Sequence, residues 1–102
     1  MDSSIRTLPA LLSLPLHLIL AFIHEERTVN GPNWINTFQV RHQADNSLTQ
    51  ILTVISHPEL FHPASVLQIA PDHLPLRLRD QLRILALYLS IHRSANFTAQ
   101  FS

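Results

Sequence analysis

The chain of 102 residues contains no cysteine, and this absence excludes several kinds of site. Without thiols there can be no disulfide framework, no thiolate zinc ribbon and no cysteine nucleophile. Disulfide-free chains are typical of reducing compartments. We therefore expect a cytoplasmic or nuclear protein, with membrane association as the alternative.

Charge is also scarce, because only 14% of the residues are charged while 46% are hydrophobic. Lysine is absent, and seven arginines balance seven acidic residues to a formal net charge of zero. Nucleic-acid binders usually carry a basic footprint, so no nucleic-acid partner is expected. Too few charges remain to cover the surface of an isolated domain, which favours a protein partner or a homo-oligomer.

Glycine occurs once, at position 31, and no segment shows the sustained alternation of apolar and polar residues that is typical of a β-strand. The sequence predicts an all-α fold, a small bundle or helical-repeat array of four to five short helices with proline-marked breaks. A single domain is expected over residues 1–93, followed by a flexible C-terminal tail over 94–102. The predicted helices cover residues 14–27, 34–43, 47–57, 63–70 and 76–93.

The apolar run over residues 8–23 has two interpretations. A membrane-spanning helix needs roughly 20 apolar residues, whereas this run has sixteen and contains Pro9, Pro15 and His17. The first interpretation is a core helix that starts near Pro15 with Ser13 as its N-cap. The second is a membrane anchor formed by residues 8–23. Both remain open from the sequence.

The clearest amphipathic pattern follows Ser47 and Gln50, which have the spacing of a capping box. The helix predicted next carries apolar residues at i, i+3, i+4 and i+7. The longest predicted helix, 76–93, has two apolar faces. Leu78, Leu82, Leu85 and Leu89 form one, and Ile84, Leu87 and Ile91 form the other. A helix of this kind is expected in the centre of a core or at an interface.

Seven histidines raise the question of a metal site. His57 and His62 are five residues apart in "HPELFH", which is not the H-E-x-x-H pattern of a zinc protease. Each of them precedes a proline. Proline favours extended backbone in the residue before it and suits the first position of the helical turn that follows. We interpret these pairs as breaks between helices. No catalytic, metal-binding or cofactor-binding residue is predicted, and the chain is not expected to be an enzyme.

From about residue 47 to 93, the order of features resembles the helical part of PCI-domain proteins, in particular the COP9 signalosome subunit 7 type. The features lie in three stretches: "ILTVISHPELF", "SVLQIAP" and "LRILALYL". His62 and Pro63 depart from the family pattern, and no winged-helix half follows. The resemblance implies a truncated or divergent helical piece that works in the assembly of a multisubunit complex.

Taken together, these patterns predict a non-catalytic α-helical module for protein–protein interaction or scaffolding. The alternative is a small membrane-associated accessory protein anchored by residues 8–23. The predicted contact residues are large and apolar, since aromatic side chains in particular are enriched among interface anchors. They are Trp34, Phe61, Leu82, Leu85 and Leu89.

Overall fold

The computed structural model describes the backbone of residues 5–101 and the side chains of residues 5–92. Within that part of the chain every regular element is helical, which confirms the all-α prediction. Two 3-10 turns, Gly31–Asn33 and Pro58–Leu60, lie between α-helices. The α-helices are α1 (Leu8–Leu12), α2 (Leu16–Asn30), α3 (Trp34–His42), α4 (Asn46–Ser56), α5 (Ala64–Gln68) and α6 (Leu76–Phe101).

Helix α1 was not predicted, and it changes the role of Ser13. Thr7 caps α1 by accepting a hydrogen bond from the Ala10 N–H at 3.3 Å. Ser13 is the C-cap of α1, so its predicted role as the N-cap of α2 was wrong. The physical reason is Pro15, which keeps Leu14 out of the helical region and divides the apolar run. A five-residue helix is too short to produce a recognisable periodicity.

The start of α4 also differs from the sequence prediction. Its N-cap is Asp45, whose Oδ1 accepts the Leu48 N–H at 2.7 Å. Ser47 donates its hydroxyl to the same carboxylate at 3.0 Å and does not cap the helix. Aspartate ranks among the best N-caps, and here it lies one residue before the first helical residue.

Helix α6 begins at Leu76, as predicted, and continues to Phe101, beyond the predicted end at residue 93. It packs against α5, α1, α2 and the turn Pro58–Leu60. The predicted flexible tail, 94–102, falls outside the side chains that the structure describes, and its flexibility stays a prediction.

The core is formed by aliphatic and aromatic side chains from all six helices, together with Ile5 and Leu74. Phe22 of α2 and Phe38 of α3 pack edge to face, with ring centroids 5.4 Å apart. Among the described side chains none that is polar or charged is buried. Core packing therefore rests on apolar contacts, which fits the low charge content of the chain.

Arg79 organises the segment that leads into α6. Its Nε donates to the Leu74 carbonyl at 3.2 Å, and its Nη2 donates to the carbonyls of Pro71 and Asp72 at 3.3 and 3.0 Å. These carbonyls belong to the irregular backbone between α5 and α6, in which the Pro71 carbonyl also accepts the Leu74 N–H at 3.1 Å. A guanidinium group suits this role because its donors form a planar fork.

Replacing Arg79 by lysine should lower the free energy of unfolding by about 2 kcal/mol, because an ammonium group cannot reach all three carbonyls. Urea denaturation followed by circular dichroism measures this loss. Arg83→Lys is the matched control, since Arg83 is exposed and, among the described side chains, pairs with Asp80 at 3.5 Å. It should change stability by less than about 0.5 kcal/mol. Equal losses in the two variants would show that the Arg79 fork does not stabilise the fold.

The C-cap of helix α3 is Gln43, which has left-handed backbone angles of φ 51° and ψ 49°. This conformation is unfavourable for a residue with a Cβ atom, and glycine is the residue that most often adopts it at the end of a helix. Gln43→Gly should therefore raise the free energy of unfolding by about 0.5–1 kcal/mol. The same denaturation experiment checks it, with exposed Gln39→Gly inside α3 expected to destabilise by a similar amount.

Candidate interaction surface

Helix α6 exposes a row of large aliphatic side chains on the side that faces away from the core. Their relative exposures lie between 46% and 75%. We call this row the outer stripe; it consists of Leu76, Ile84, Leu87 and Ile91. Among the described residues, no other helix exposes as many large aliphatic side chains.

The two faces of α6 follow from helix geometry. Successive residues are rotated by about 100°, so Leu85 and Leu87 point in nearly opposite directions. Leu85 is fully buried, and Leu78, Leu82 and Leu89 line up with it against the core. The outer stripe is therefore a row of aliphatic side chains that the bundle leaves uncovered.

Four of the five predicted contact residues lie inside the bundle. Trp34, Leu82, Leu85 and Leu89 are each at most 3% exposed. Side chains with so little accessible surface cannot meet a partner unless the domain opens. The outer stripe therefore replaces them as the candidate contact surface. The sequence signal for it was the second apolar face, Ile84, Leu87 and Ile91, which was recognised but not selected.

Phe61, the fifth predicted residue, is half-buried between α4 and α5. It lines a shallow cavity of about 370 Å³ together with Gln50, Val54, Ser65 and Ile69. The cavity wall is mostly apolar, so it offers room for an aliphatic or aromatic side chain. Phe61 also packs against the buried core cluster.

The arginines near the outer stripe do not form a single basic cluster. Arg79 points to the carbonyls of the preceding segment, and Arg83 pairs with Asp80 on the helix surface. Both sides of this exposed pair are more than half accessible, so water screens it and it adds little stability. The charge beside the stripe is thus of mixed sign.

The histidines next to prolines lie at helix ends. His57 is the C-cap of α4 and its N–H donates to the Thr53 carbonyl at 3.2 Å. His62 accepts the Ala64 N–H on Nδ1 at 3.1 Å, at the start of α5. Over the described residues, no three histidine, aspartate or glutamate side chains come close enough to hold a metal ion. These two histidines act as breaks between helices, in agreement with the sequence interpretation.

Residues 8–23 are divided between α1 and the first half of α2. Leu8, Leu11, Ile19 and Phe22 from this run are buried, whereas Leu18 is partly exposed. The Leu14 carbonyl between the two helices accepts a hydrogen bond from Gln81 Nε2 of α6 at 2.8 Å. No helix in the described part of the chain has the length and apolar character needed to cross a membrane.

No protein family, curated protein sequence or solved structure matches this chain. The resemblance to the helical part of PCI-domain proteins stays a prediction.

Proposed function

We propose that this protein is a non-catalytic α-helical interaction module, and that the outer stripe of α6 is its contact surface. The main observation behind the proposal is that α6 exposes a row of aliphatic side chains to solvent while its opposite face is buried in the core. The PCI-like order of features after residue 47 supports it, since that family works in complex assembly.

The stripe has the arrangement of a helix that binds in an apolar groove or against another helix. Ile84, Leu87 and Ile91 are spaced at i, i+3 and i+7, which places them on one side of the helix. Full burial of one such side chain contributes about 1.5–3 kcal/mol before the entropic cost of association. Several together are enough for a specific but reversible contact.

The core packing of residues 8–23 favours this reading over a membrane anchor. An anchor must offer its apolar side chains to lipid, whereas most of those in this run are packed inside the bundle, where α1 contacts α4 and α6 and α2 contacts α3 and α6. A cytoplasmic or nuclear location belongs to the same proposal, because the absence of cysteine agrees with a reducing compartment.

Affinity purification of the tagged full chain from its native cell, followed by mass spectrometry, tests the proposal. The expected result is that other proteins, or untagged copies of the same chain, co-purify with the tagged chain. Leu87→Asp should reduce the amount that co-purifies at least tenfold. Val40→Asp is the matched control, because Val40 is an aliphatic residue on α3 with 79% exposure. The Val40→Asp variant should still recover the co-purifying proteins. Recovery that is unaffected by Leu87→Asp would contradict the assignment of the outer stripe.

A further inference from the structure

We propose that the partner of the outer stripe is α6 of a second copy of this chain, packed antiparallel to form a symmetric dimer. This inference rests on the proposed function and names the partner for the same surface. It follows from the spacing of the stripe and from the charges beside it, and the size of the stripe limits the strength of the contact.

The first step is the spacing of residues along the solvent side of α6. Asp80, Ile84, Leu87 and Ile91 are separated by four, three and four residues, which is the heptad spacing of a coiled-coil seam. In an antiparallel pair with a two-fold axis between residues 85 and 86, Ile84 of one copy lies opposite Leu87 of the other. Because the contact is isologous, the same pairing occurs twice and produces a central cluster of four aliphatic side chains.

The second step is the relative orientation of the two α6 helices, for which the charges along the helix favour antiparallel packing. A parallel pair in the same register would place Asp80 opposite Asp80 and Arg77 opposite Arg77, and such like-charge pairs oppose association. The antiparallel pair instead places Asp80 opposite Ile91 at each outer end of the seam, where the carboxylate stays in water and near Arg83 of its own chain. The formal net charge of zero means that long-range repulsion between copies is weak.

The third step is the size of the surface. From Leu76 to Ile91 the stripe extends along about 22 Å of helix, at about 1.5 Å per residue. Stable interfaces bury about 800 Å² on each partner, and a single helix face of this length offers less than that. The expected dimer is therefore reversible and depends on concentration.

Sedimentation velocity of the purified full chain over a hundredfold range of concentration tests the partner. The expected result is a shift from the 11.6 kDa chain mass to twice that mass as concentration rises. Leu87→Asp should remain at the single-chain mass throughout, and Val40→Asp should dimerise like the wild type. Circular dichroism shows that each variant is folded. A wild-type chain that stays at 11.6 kDa at all concentrations overturns the inference.

The absence of cysteine allows a direct test of orientation. Asp80→Cys and Ile91→Cys chains of different tag size are mixed and oxidised. Antiparallel packing predicts that the mixed disulfide is at least tenfold more abundant than either homodisulfide. Asp80→Cys homodisulfide as the main product would show a parallel pair and overturn the proposed arrangement.

The two proposals can fail separately. If the wild-type chain is monomeric but Leu87→Asp still removes co-purifying proteins of other sequence, the second copy is the wrong partner and the interaction surface stands. If Leu87→Asp changes neither the mass nor the co-purifying proteins, both proposals are wrong.

Discussion

Leu85→Asp should leave the chain unfolded at room temperature, whereas Leu87→Asp, two residues further along α6, should melt near the wild-type temperature. The substitution is chemically the same at both positions. The difference lies in the environment: Leu85 has no accessible surface, and Leu87 is 60% exposed.

The expected loss at Leu85 has two parts. Removing a buried leucine side chain costs about 2–5 kcal/mol. A carboxylate left in the same apolar site, with no described polar group buried around it, adds several kcal/mol, by protonation or by drawing water into the core. The whole free energy of unfolding of a small domain is about 5–15 kcal/mol, so the sum removes most or all of it.

Thermal denaturation followed by circular dichroism at 222 nm checks both variants. Leu85→Met is the control for position 85, because a volume-conserving apolar replacement should cost less than about 1.5 kcal/mol. At concentrations where the wild type is a single chain, Leu87→Asp should stay within about 0.5 kcal/mol of it, as surface changes usually do. A folded Leu85→Asp chain would place Leu85 outside the core and restore it as a contact residue.

The sequence predicted the two apolar faces of α6, but it could not tell which face is buried. Both faces carry aliphatic residues at helical spacing, and periodicity measures only that spacing. The choice depends on which face α1, α2 and α5 cover, and that is a property of the tertiary arrangement. For this reason Leu82, Leu85 and Leu89 were predicted as contacts, and the outer stripe was recognised only as a second face.

Trp34 shows the same limit for a single residue. Tryptophan is common both in cores and in interface anchors, and its local sequence does not separate the two.

The all-α class and most helix starts were predictable because proline, the scarcity of glycine and apolar spacing act locally. Helix α1 was not, because five residues are too few to show a periodicity. The cap at Asp45 was not, because Asp45, Asn46 and Ser47 are consecutive and all three residue types are good N-caps.

Phe22→Ala should lower the free energy of unfolding by about 4 kcal/mol, because it removes one of the largest buried side chains and an edge-to-face aromatic contact. Phe22 is 2% exposed and contacts Phe38 across the α2–α3 interface. Leu18→Ala, on the same helix at 39% exposure, should cost less than about 1.5 kcal/mol. Urea denaturation measures both values, and a double-mutant cycle with Phe38→Ala should give a coupling of about 1 kcal/mol.

This pair of variants also separates the two interpretations of residues 8–23. If the run were a membrane anchor, both substitutions would weaken binding to phospholipid vesicles, because each removes apolar surface from the segment that enters the lipid. Neither would then affect the unfolding of the remaining chain by more than a surface change does. A core segment gives the opposite pattern, with a large loss of stability for Phe22→Ala, a small one for Leu18→Ala and no vesicle binding by the folded wild type. The burial of Phe22 between α2 and α3 leads us to expect that second pattern, since a side chain packed inside the bundle cannot reach lipid without unfolding it.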